Sequence, residues 1–258
     1  MTTRDDAPTG APCWIELFTS DLDATRSFYR DLFGWTFADP QEELGGYVNI
    51  SKDGKKVAGG MANTPDSGSP DGWSVYLAVA DAEKAGELAE ANGGSVLSPA
   101  MEVMALGSMI IVSDPSGAAV GGWQPGEHEG YEVYDEPGTV AWVELHTRKH
   151  AEAVAFYEQV FSSTTVSVSD ADDFRYTMLV EGDEQLAGIM DASIFPDDAP
   201  LGWSIYFGTD DLDASLARVT ELGGRVEIGP DETPYGRLAG CTDPTGVSFK
   251  LRQPPTEG

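Results

Sequence analysis

Residues 14–35 read WIELFTSDLDATRSFYRDLFGW, and residues 142–163 read WVELHTRKHAEAVAFYEQVFSS. Seven of the 22 aligned positions are identical, including the opening Trp-x-Glu-Leu and the later Phe-Tyr. In each copy the first five side chains alternate between two faces, which is typical of a strand, and an apolar stripe at helical spacing follows. We expect Ser20 or Asp21 to cap the first helix and Gly34 to end it. A strand–helix unit that returns at long spacing indicates an internal duplication.

Other elements recur in both halves in the same order. They are a hairpin (47–61 and 176–190), a strand that begins Trp-Ser (73–79 and 203–206) and an Asp-Pro-x-Gly turn (114–117 and 243–246). In the first hairpin Asp53-Gly54 favours a tight reversal. Each half therefore contains two strand–helix–strands units.

The composition predicts a soluble globular protein, because 41% of the residues are hydrophobic and 23% are charged. The net charge of −29 argues against nucleic acid and anionic membrane surfaces as partners. The N-terminal residues lack the apolar stretch of a secretory signal, and two cysteines form no disulfide framework. We therefore expect a cytoplasmic protein.

The turn-rich segments predict the domain boundaries. Residues 1–12 are expected to form a flexible arm and residues 124–139 a linker. The two domains would then span residues 13–123 and 140–253, and each is long enough for its own core. Since consecutive units are usually spatial neighbours, we expect the two units of each half to pair with each other. That pairing would place Lys250 beside Glu144, whereas pairing across the halves would place it beside Glu16.

This combination of repeated units, Phe-Tyr late in the first helix and Asp-Pro-x-Gly before the last strand resembles the vicinal-oxygen-chelate superfamily. That superfamily contains glyoxalase I, the bleomycin- and fosfomycin-resistance proteins and the extradiol dioxygenases. The chain looks most similar to the actinobacterial two-domain glyoxalase-like proteins, often labelled predicted hydroxylases. The resemblance implies an α+β fold with tandem domains. Each domain would contain two βαβββ units, with a curved mixed sheet around a cavity.

The resemblance also implies where a divalent metal would be bound, but the residues at those places are not suitable. The ligand positions fall at Trp14 and Trp142, near Gly60 and Ile189, at Ser74 and Ser204, and at Gly121 and Lys250. None of these side chains is a usual ligand of a catalytic divalent metal. We therefore expect no metal and no cofactor.

Strand alternation identifies the side chains that would line the two cavities. The first would contain Trp14, Glu16, Phe18, Ser74 and Tyr76, and the second Trp142, Glu144, His146, Ser204, Tyr206 and Lys250. Glu16, Glu144 and His146 are the candidate catalytic residues, because a carboxylate or imidazole can move a proton. The alternative is a purely structural role, since buried charges are usually paired. Nothing in the sequence singles out His128 or His150.

Two functions remain open at this point. The first is a metal-independent small-molecule binding protein, either a monomer or a homodimer, whose ligand is planar or aromatic. The second is an enzyme of the same superfamily, a lyase, isomerase or dioxygenase-like protein. Such an enzyme would use Glu16 or Glu144 as a base without metal, or metal ligands not located in the sequence.

Overall fold

Each half of the chain forms one eight-stranded sheet in the computed structural model, which describes residues 6–64 and 68–255. The strands of the first half are β1 (Pro12–Thr19), β2 (Thr36–Phe37), β3 (Val48–Lys52), β4 (Lys55–Ala62), β5 (Gly72–Ala78), β6 (Ser95–Val103), β7 (Gly107–Ser113) and β8 (Ala119–Pro125). Their order in the sheet is β2-β3-β4-β1-β5-β8-β7-β6. The sheet is mixed, because β1 runs parallel to β4 and antiparallel to β5.

The second half repeats this topology. Its strands are β9 (Val140–Thr147), β10 (Thr164–Ala171), β11 (Phe174–Glu181), β12 (Glu184–Asp191), β13 (Gly202–Gly208), β14 (Arg225–Thr233), β15 (Gly236–Thr242) and β16 (Ser248–Gln253). They follow the order β10-β11-β12-β9-β13-β16-β15-β14. The expected α+β fold with two tandem domains of two units each is confirmed, and so is the pairing of units within each half.

One helix follows the first strand of each unit. These helices are α1 (Leu22–Phe33), α2 (Ala82–Ala91), α3 (His150–Val160) and α4 (Leu212–Glu221). Of the two residues proposed to cap α1, Asp21 does so, because its carboxylate accepts a hydrogen bond from the Ala24 N–H. Gly34 ends the helix with a φ of 74°, the left-handed conformation that glycine adopts without strain. None of the helices described in residues 6–64 and 68–255 is long and apolar enough to cross a membrane.

The two sheets share one hydrophobic core, whereas the sequence suggested one core for each domain. A single cluster of buried side chains includes residues of both halves. Phe33 of α1 lies 5.1 Å from Phe207 of β13, measured between ring centroids, and Tyr29 lies 5.8 Å from Phe249 of β16. The difference arises because α1 presents aromatic side chains to the second sheet as well as to its own.

The Phe-Tyr and Asp-Pro-x-Gly motifs of opposite halves meet in this core. The Tyr157 hydroxyl of α3 donates a hydrogen bond to Asp114 Oδ2 at 3.4 Å and accepts one from Trp203 Nε1 at 2.9 Å. Tyr29 has the equivalent place in α1, and burial followed by the charge of Asp243 raises its pKa. The motifs that indicate the duplication therefore also join its two copies.

The segment between the sheets is attached to both of them. The Tyr131 hydroxyl donates a hydrogen bond to the Pro12 carbonyl at 2.7 Å, and Pro137 pairs with Gly208 of β13. In the predicted N-terminal arm, residues 1–5 lie outside the described residues. Ala11 is buried, and Pro12 already belongs to β1.

Candidate functional site

One face of each sheet carries the side chains that the sequence analysis placed in the cavities. In the first half, Trp14 pairs with Tyr76, and Glu16 pairs with Ser74 across β1 and β5. In the second half, Trp142 pairs with Tyr206, Glu144 with Ser204, and Tyr206 with Lys250. Directly paired residues point to the same side of a sheet. We call these surfaces the first site face (Trp14, Glu16, Phe18, Ser74, Tyr76) and the second site face (Trp142, Glu144, His146, Ser204, Tyr206, Lys250).

The hairpin residues that share a face with the glutamates are the direct neighbours of Gly60 and Ile189. Glu16 pairs with Gly59, and Glu144 pairs with Gly188. Ile189 is fully buried on the core side of its sheet. A shift of one residue moves a side chain to the opposite face of a strand, so Gly59 and Gly188 are the residues on the site faces.

On the first site face, Glu16 is held by two phenols. Tyr76 donates a hydrogen bond to Oε2 at 2.6 Å, and Tyr47 donates one to Oε1 at 2.8 Å. The Trp14 indole N–H in turn donates to the Tyr47 hydroxyl at 2.8 Å. Burial raises the pKa of Glu16, and the two phenol hydrogen bonds only partly offset that rise. Glu16 is therefore the more easily protonated of the two glutamates.

On the second site face, Glu144 has two equivalent phenols, and a histidine and a lysine lie beside it as well. Tyr176 donates to Oε2 at 2.7 Å, and Tyr206 donates to Oε1 at 3.0 Å. His146 Nε2 lies 2.6 Å from Oε1, and Lys250 Nζ lies 3.3 Å from His146 Nε2. Lys250 also donates to the Tyr206 hydroxyl at 2.8 Å.

His146 and Lys250 change the pKa of the glutamate on the second site face. Burial raises the pKa of Glu144, but the hydrogen bond from His146 and the charges of His146 and Lys250 outweigh it. The pKa of Glu144 is consequently lowered to about 2. Burial lowers the pKa of Lys250 to about 8, against the attraction of Glu144. Glu144 is thus ionised at neutral pH, while Lys250 can exist as a free amine under mildly basic conditions.

Each face also contains a tyrosine that was not predicted from the sequence, Tyr47 on the first and Tyr176 on the second. Each tyrosine hydroxyl occupies the space that a side chain would take at a glycine on the neighbouring strand. A Cβ atom added to Gly59 would lie 1.8 Å from the Tyr47 hydroxyl, and one added to Gly188 would lie 1.8 Å from the Tyr176 hydroxyl. The signal was present, because the Tyr and Gly recur at the same spacing in both hairpins.

His128 was also missed. Its ring lies edge-on to Trp14 at 4.4 Å and near Trp123 at 5.6 Å, measured between ring centroids. Burial, with a smaller effect of Lys56, lowers the pKa of His128 to about 4, so the ring is neutral. His128 therefore extends the aromatic wall of the first site face. His128 lies outside the elements that recur in both halves, so the repeat in the sequence could not identify it.

The remaining candidates differ in their surroundings. Phe18 is half-buried on the first site face, and its counterpart His146 packs against Phe195 at 5.5 Å. Ser74 and Ser204 are half-buried. Two clefts of about 300 and 240 Å³ open where the halves meet, around Phe33, Lys52 and Pro137, and not on the site faces. Aromatic side chains fill much of the space expected as a cavity: the Tyr76 ring lies directly over Gly121.

Comparison with known proteins identifies the family. The pattern of the Glyoxalase/Bleomycin resistance protein/Dioxygenase superfamily matches residues 13–121 and 139–251. The chain belongs to this superfamily. Among relatives, it is 36% identical to the protein named "Putative glyoxylase CFP32" of Mycobacterium tuberculosis, covering 98% of both chains. It is 37% identical to the "Anthracycline biosynthesis protein DauV" of a Streptomyces species, covering 94% of this chain and 92% of that one.

Solved structures of the superfamily share the fold at low sequence identity. The Mn(II)-bound glyoxalase from Novosphingobium aromaticivorans superposes with a TM-score of 0.66 at 15% identity, covering 95% of this chain and 82% of that one. Likeness at this level concerns the fold alone.

The residues at the superfamily's metal positions do not fit a divalent ion. With the hairpin register corrected, the first site face offers Trp14, Gly59, Ser74 and Gly121. On the second face, Glu144 and His146 are residue types that can bind a metal. They are instead hydrogen-bonded to each other, and they lie beside Lys250. Across residues 6–64 and 68–255, no group of three or more His, Cys, Asp or Glu is arranged to hold a metal ion. A catalytic site needs about three protein ligands.

Proposed function

We propose that the protein is a metal-independent small-molecule binding protein of the glyoxalase/bleomycin-resistance type. Its ligand is planar and largely apolar, and carries a hydroxyl or carbonyl group. The observation that carries the proposal is the arrangement repeated on both site faces. A glutamate is held by two phenols, one of which accepts a hydrogen bond from the indole that stands at the first metal-ligand position implied by the family resemblance. Phe18 on the first face and Trp142 on the second are half-buried, and their rings offer flat surfaces for stacking.

The name of one relative supports a planar aromatic ligand. The 37% identical Streptomyces protein is named for anthracycline biosynthesis, and anthracyclines are built on a fused, hydroxylated ring system. A hydroxyl at the edge of such a ring system could take the place of one phenol on Glu16. The net charge of −29 disfavours nucleic acids and anionic membranes as competing partners.

The two faces should differ in the charge of the ligand they accept. The first has Phe18 and Gly121 where the second has His146 and Lys250. The first face therefore favours a neutral molecule, and the second tolerates an anionic group near Lys250.

The experiment is calorimetric titration of protein dialysed against EDTA, with elemental analysis of the same sample. A dihydroxyanthraquinone serves as the neutral probe and its sulfonate as the anionic probe. Both should bind to metal-free protein. Lys250→Ala should weaken binding of the sulfonate about tenfold, because one charge-assisted hydrogen bond of about 1.5 kcal/mol is lost. Binding of the neutral probe should be unchanged. Binding that requires an added divalent metal would contradict the proposal, and equal losses for the two probes would contradict the difference between the faces.

A second candidate function is metal-free proton transfer. The 2.6 Å contact between Glu144 Oε1 and His146 Nε2 favours it, because a carboxylate that orients an imidazole is a common arrangement for general-base catalysis. The test is exchange of an acidic C–H of a bound ligand in D2O, followed by NMR. Exchange by the wild-type protein that is lost in Glu144→Gln would support it, while identical exchange rates would reject it.

A further inference from the structure

Lys250 lies in an unusual place for a lysine. It projects from β16 onto the second site face, half-buried, between Tyr206 of β13 and Gly240 of β15. Its Nζ atom lies 2.8 Å from the Tyr206 hydroxyl and 4.6 Å from the centroid of that ring. The equivalent residue in the first half is Gly121, so the amine exists on one face only.

The hydrogen-bond geometry leaves the amine poorly supported as an ammonium ion. His146 Nε2 lies within 2.6 Å of Glu144 Oε1, so a proton must stand between these two atoms. A ring nitrogen that shares its proton with Glu144 has no lone pair for Lys250, although Nζ is only 3.3 Å away. The Tyr206 oxygen remains as acceptor for one of the three ammonium N–H groups, and the Tyr206 ring supplies a cation–π contact at 4.6 Å.

The surroundings of Lys250 also favour the neutral amine over the ammonium ion. Burial lowers the pKa of Lys250 to about 8, and only the charge of Glu144 opposes this. The ionisable groups that face Lys250 are Glu144 and His146 from β9, Tyr176 from β11 and Tyr206 from β13. On the other side, β15 presents Gly240 at this register. A lysine with these neighbours is a free amine in part of the molecules near pH 8, and a free amine is a nucleophile.

We propose that Lys250 is a nucleophilic residue that forms an imine with an aldehyde or ketone group of a ligand bound on the second site face. The Nζ lone pair attacks the carbonyl carbon, and the carbonyl oxygen takes up a proton to give a carbinolamine. The nitrogen loses one proton as the carbinolamine forms; the carbinolamine hydroxyl then takes up a second proton and leaves as water, and loss of the remaining N–H proton gives the neutral imine. Tyr206 lies within hydrogen-bonding distance of Nζ and is placed to exchange these protons. No oxidant or reductant takes part.

This activity goes beyond reversible binding and does not depend on which planar ligand the protein carries. The probe is salicylaldehyde, a small planar hydroxyaldehyde, added to the intact protein at pH 7.5 with cyanoborohydride to reduce any imine to a stable secondary amine. Peptide mass spectrometry then locates the added group. We expect labelling of Lys250 about tenfold faster than that of Lys84, an exposed lysine, because the ordinary lysine pKa of ~10.4 leaves far less free amine.

Two variants complete the test. Lys250→Met should abolish the fast labelling, whereas Lys84→Met should leave it unchanged. The rate at Lys250 in the wild-type protein should rise through about pH 8, and unfolding in urea should reduce it to the rate of the exposed lysines. Labelling of the folded wild-type protein that favours the exposed lysines over Lys250 would overturn the proposal, and this result does not depend on the folding of any variant.

Discussion

Glu16 and Glu144 occupy equivalent places in the two sheets, and each accepts hydrogen bonds from two tyrosines. Burial raises the pKa of Glu16, whereas His146 and Lys250 overcome the effect of burial and lower that of Glu144 to about 2. Two residue differences, Phe18 against His146 and Gly121 against Lys250, thus separate the proton affinities of two otherwise identical carboxyl groups. Duplication followed by such changes gives one chain two equivalent carboxyl groups whose pKa values are shifted in opposite directions.

Replacing these glutamates by glutamine should have unequal effects on stability. The folded-state pKa of Glu144 is about 2, below its ordinary 4.5, so its contribution is present above pH 4.5 and lost as the pH falls towards 2. We expect Glu144→Gln to lower the free energy of unfolding at pH 7 by about 3 kcal/mol. This value converts the difference between the ordinary pKa of 4.5 and the folded-state pKa of about 2 at about 1.36 kcal/mol per pKa unit. Urea unfolding at pH 7 and at pH 3 measures this, and the cost should shrink at the lower pH.

Glu16→Gln is the matched control. The pKa of Glu16 is raised on folding, so its contribution is present at low pH and lost as the pH rises through the folded-state value. An uncharged glutamine should therefore cost less than about 1 kcal/mol at pH 7. Equal costs for the two substitutions would mean that His146 and Lys250 do not stabilise the Glu144 carboxylate.

Among the elements, those with a clear internal pattern could be predicted from the sequence. The Asp53-Gly54 turn has positive φ angles at both residues, as the hairpin prediction required. By contrast, β6 (Ser95–Val103) was not predicted as a strand. It lies at the edge of its sheet, contains Pro99 and exposes Leu97 and Met101. Its sequence therefore lacks the alternation of buried apolar and exposed polar residues by which a strand is predicted. The contacts of Lys250 with β9 could not be predicted in detail, since they join residues far apart in the chain.

The hairpin glycines should be intolerant of any side chain. In Gly59→Ala the new methyl group would overlap the Tyr47 hydroxyl and push it away from Glu16. We expect a loss of about 1–3 kcal/mol in the free energy of unfolding, the usual cost of overpacking. Gly72→Ala in β5 is the control, because a Cβ there would meet no atom within 4 Å. Equal melting temperatures of the two variants would show that Tyr47 moves aside without cost.

The contact between α3 and the first sheet should be similarly sensitive. Tyr157→Phe removes the acceptor of the half-buried Trp203 indole N–H and the donor to the buried Asp114. We expect a loss of about 1–3 kcal/mol, because buried polar groups are left without partners. Thermal unfolding measures the loss, and Tyr235→Phe at an exposed position is the control. A melting temperature of Tyr157→Phe equal to that of the control would contradict the prediction.

At the scale of the whole molecule, the shared core makes the two halves dependent on each other. Phe33 and Trp35 of the first half contact Phe207 of the second at 5.1 and 5.4 Å between ring centroids. Separating the halves would expose these rings to water, while each sheet would keep its backbone hydrogen bonds. The repeat in the sequence predicts two sheets, but it gives no account of how they pack, because the packing residues Trp35 and Phe207 have no identical counterparts in the other half.

Fragments that comprise residues 1–125 and 126–258 should therefore fold cooperatively only when mixed. Alone, each should show far-UV circular dichroism of strands, a weak near-UV signal and binding of a dye specific for exposed apolar surface. An equimolar mixture should restore the near-UV signal of the intact chain, since the aromatic rings regain their fixed surroundings. The net charge of −29 opposes association of the fragments, so added salt should promote it. If each fragment unfolds cooperatively at the melting temperature of the intact protein, the halves have separate cores and the aromatic contacts between them contribute little stability.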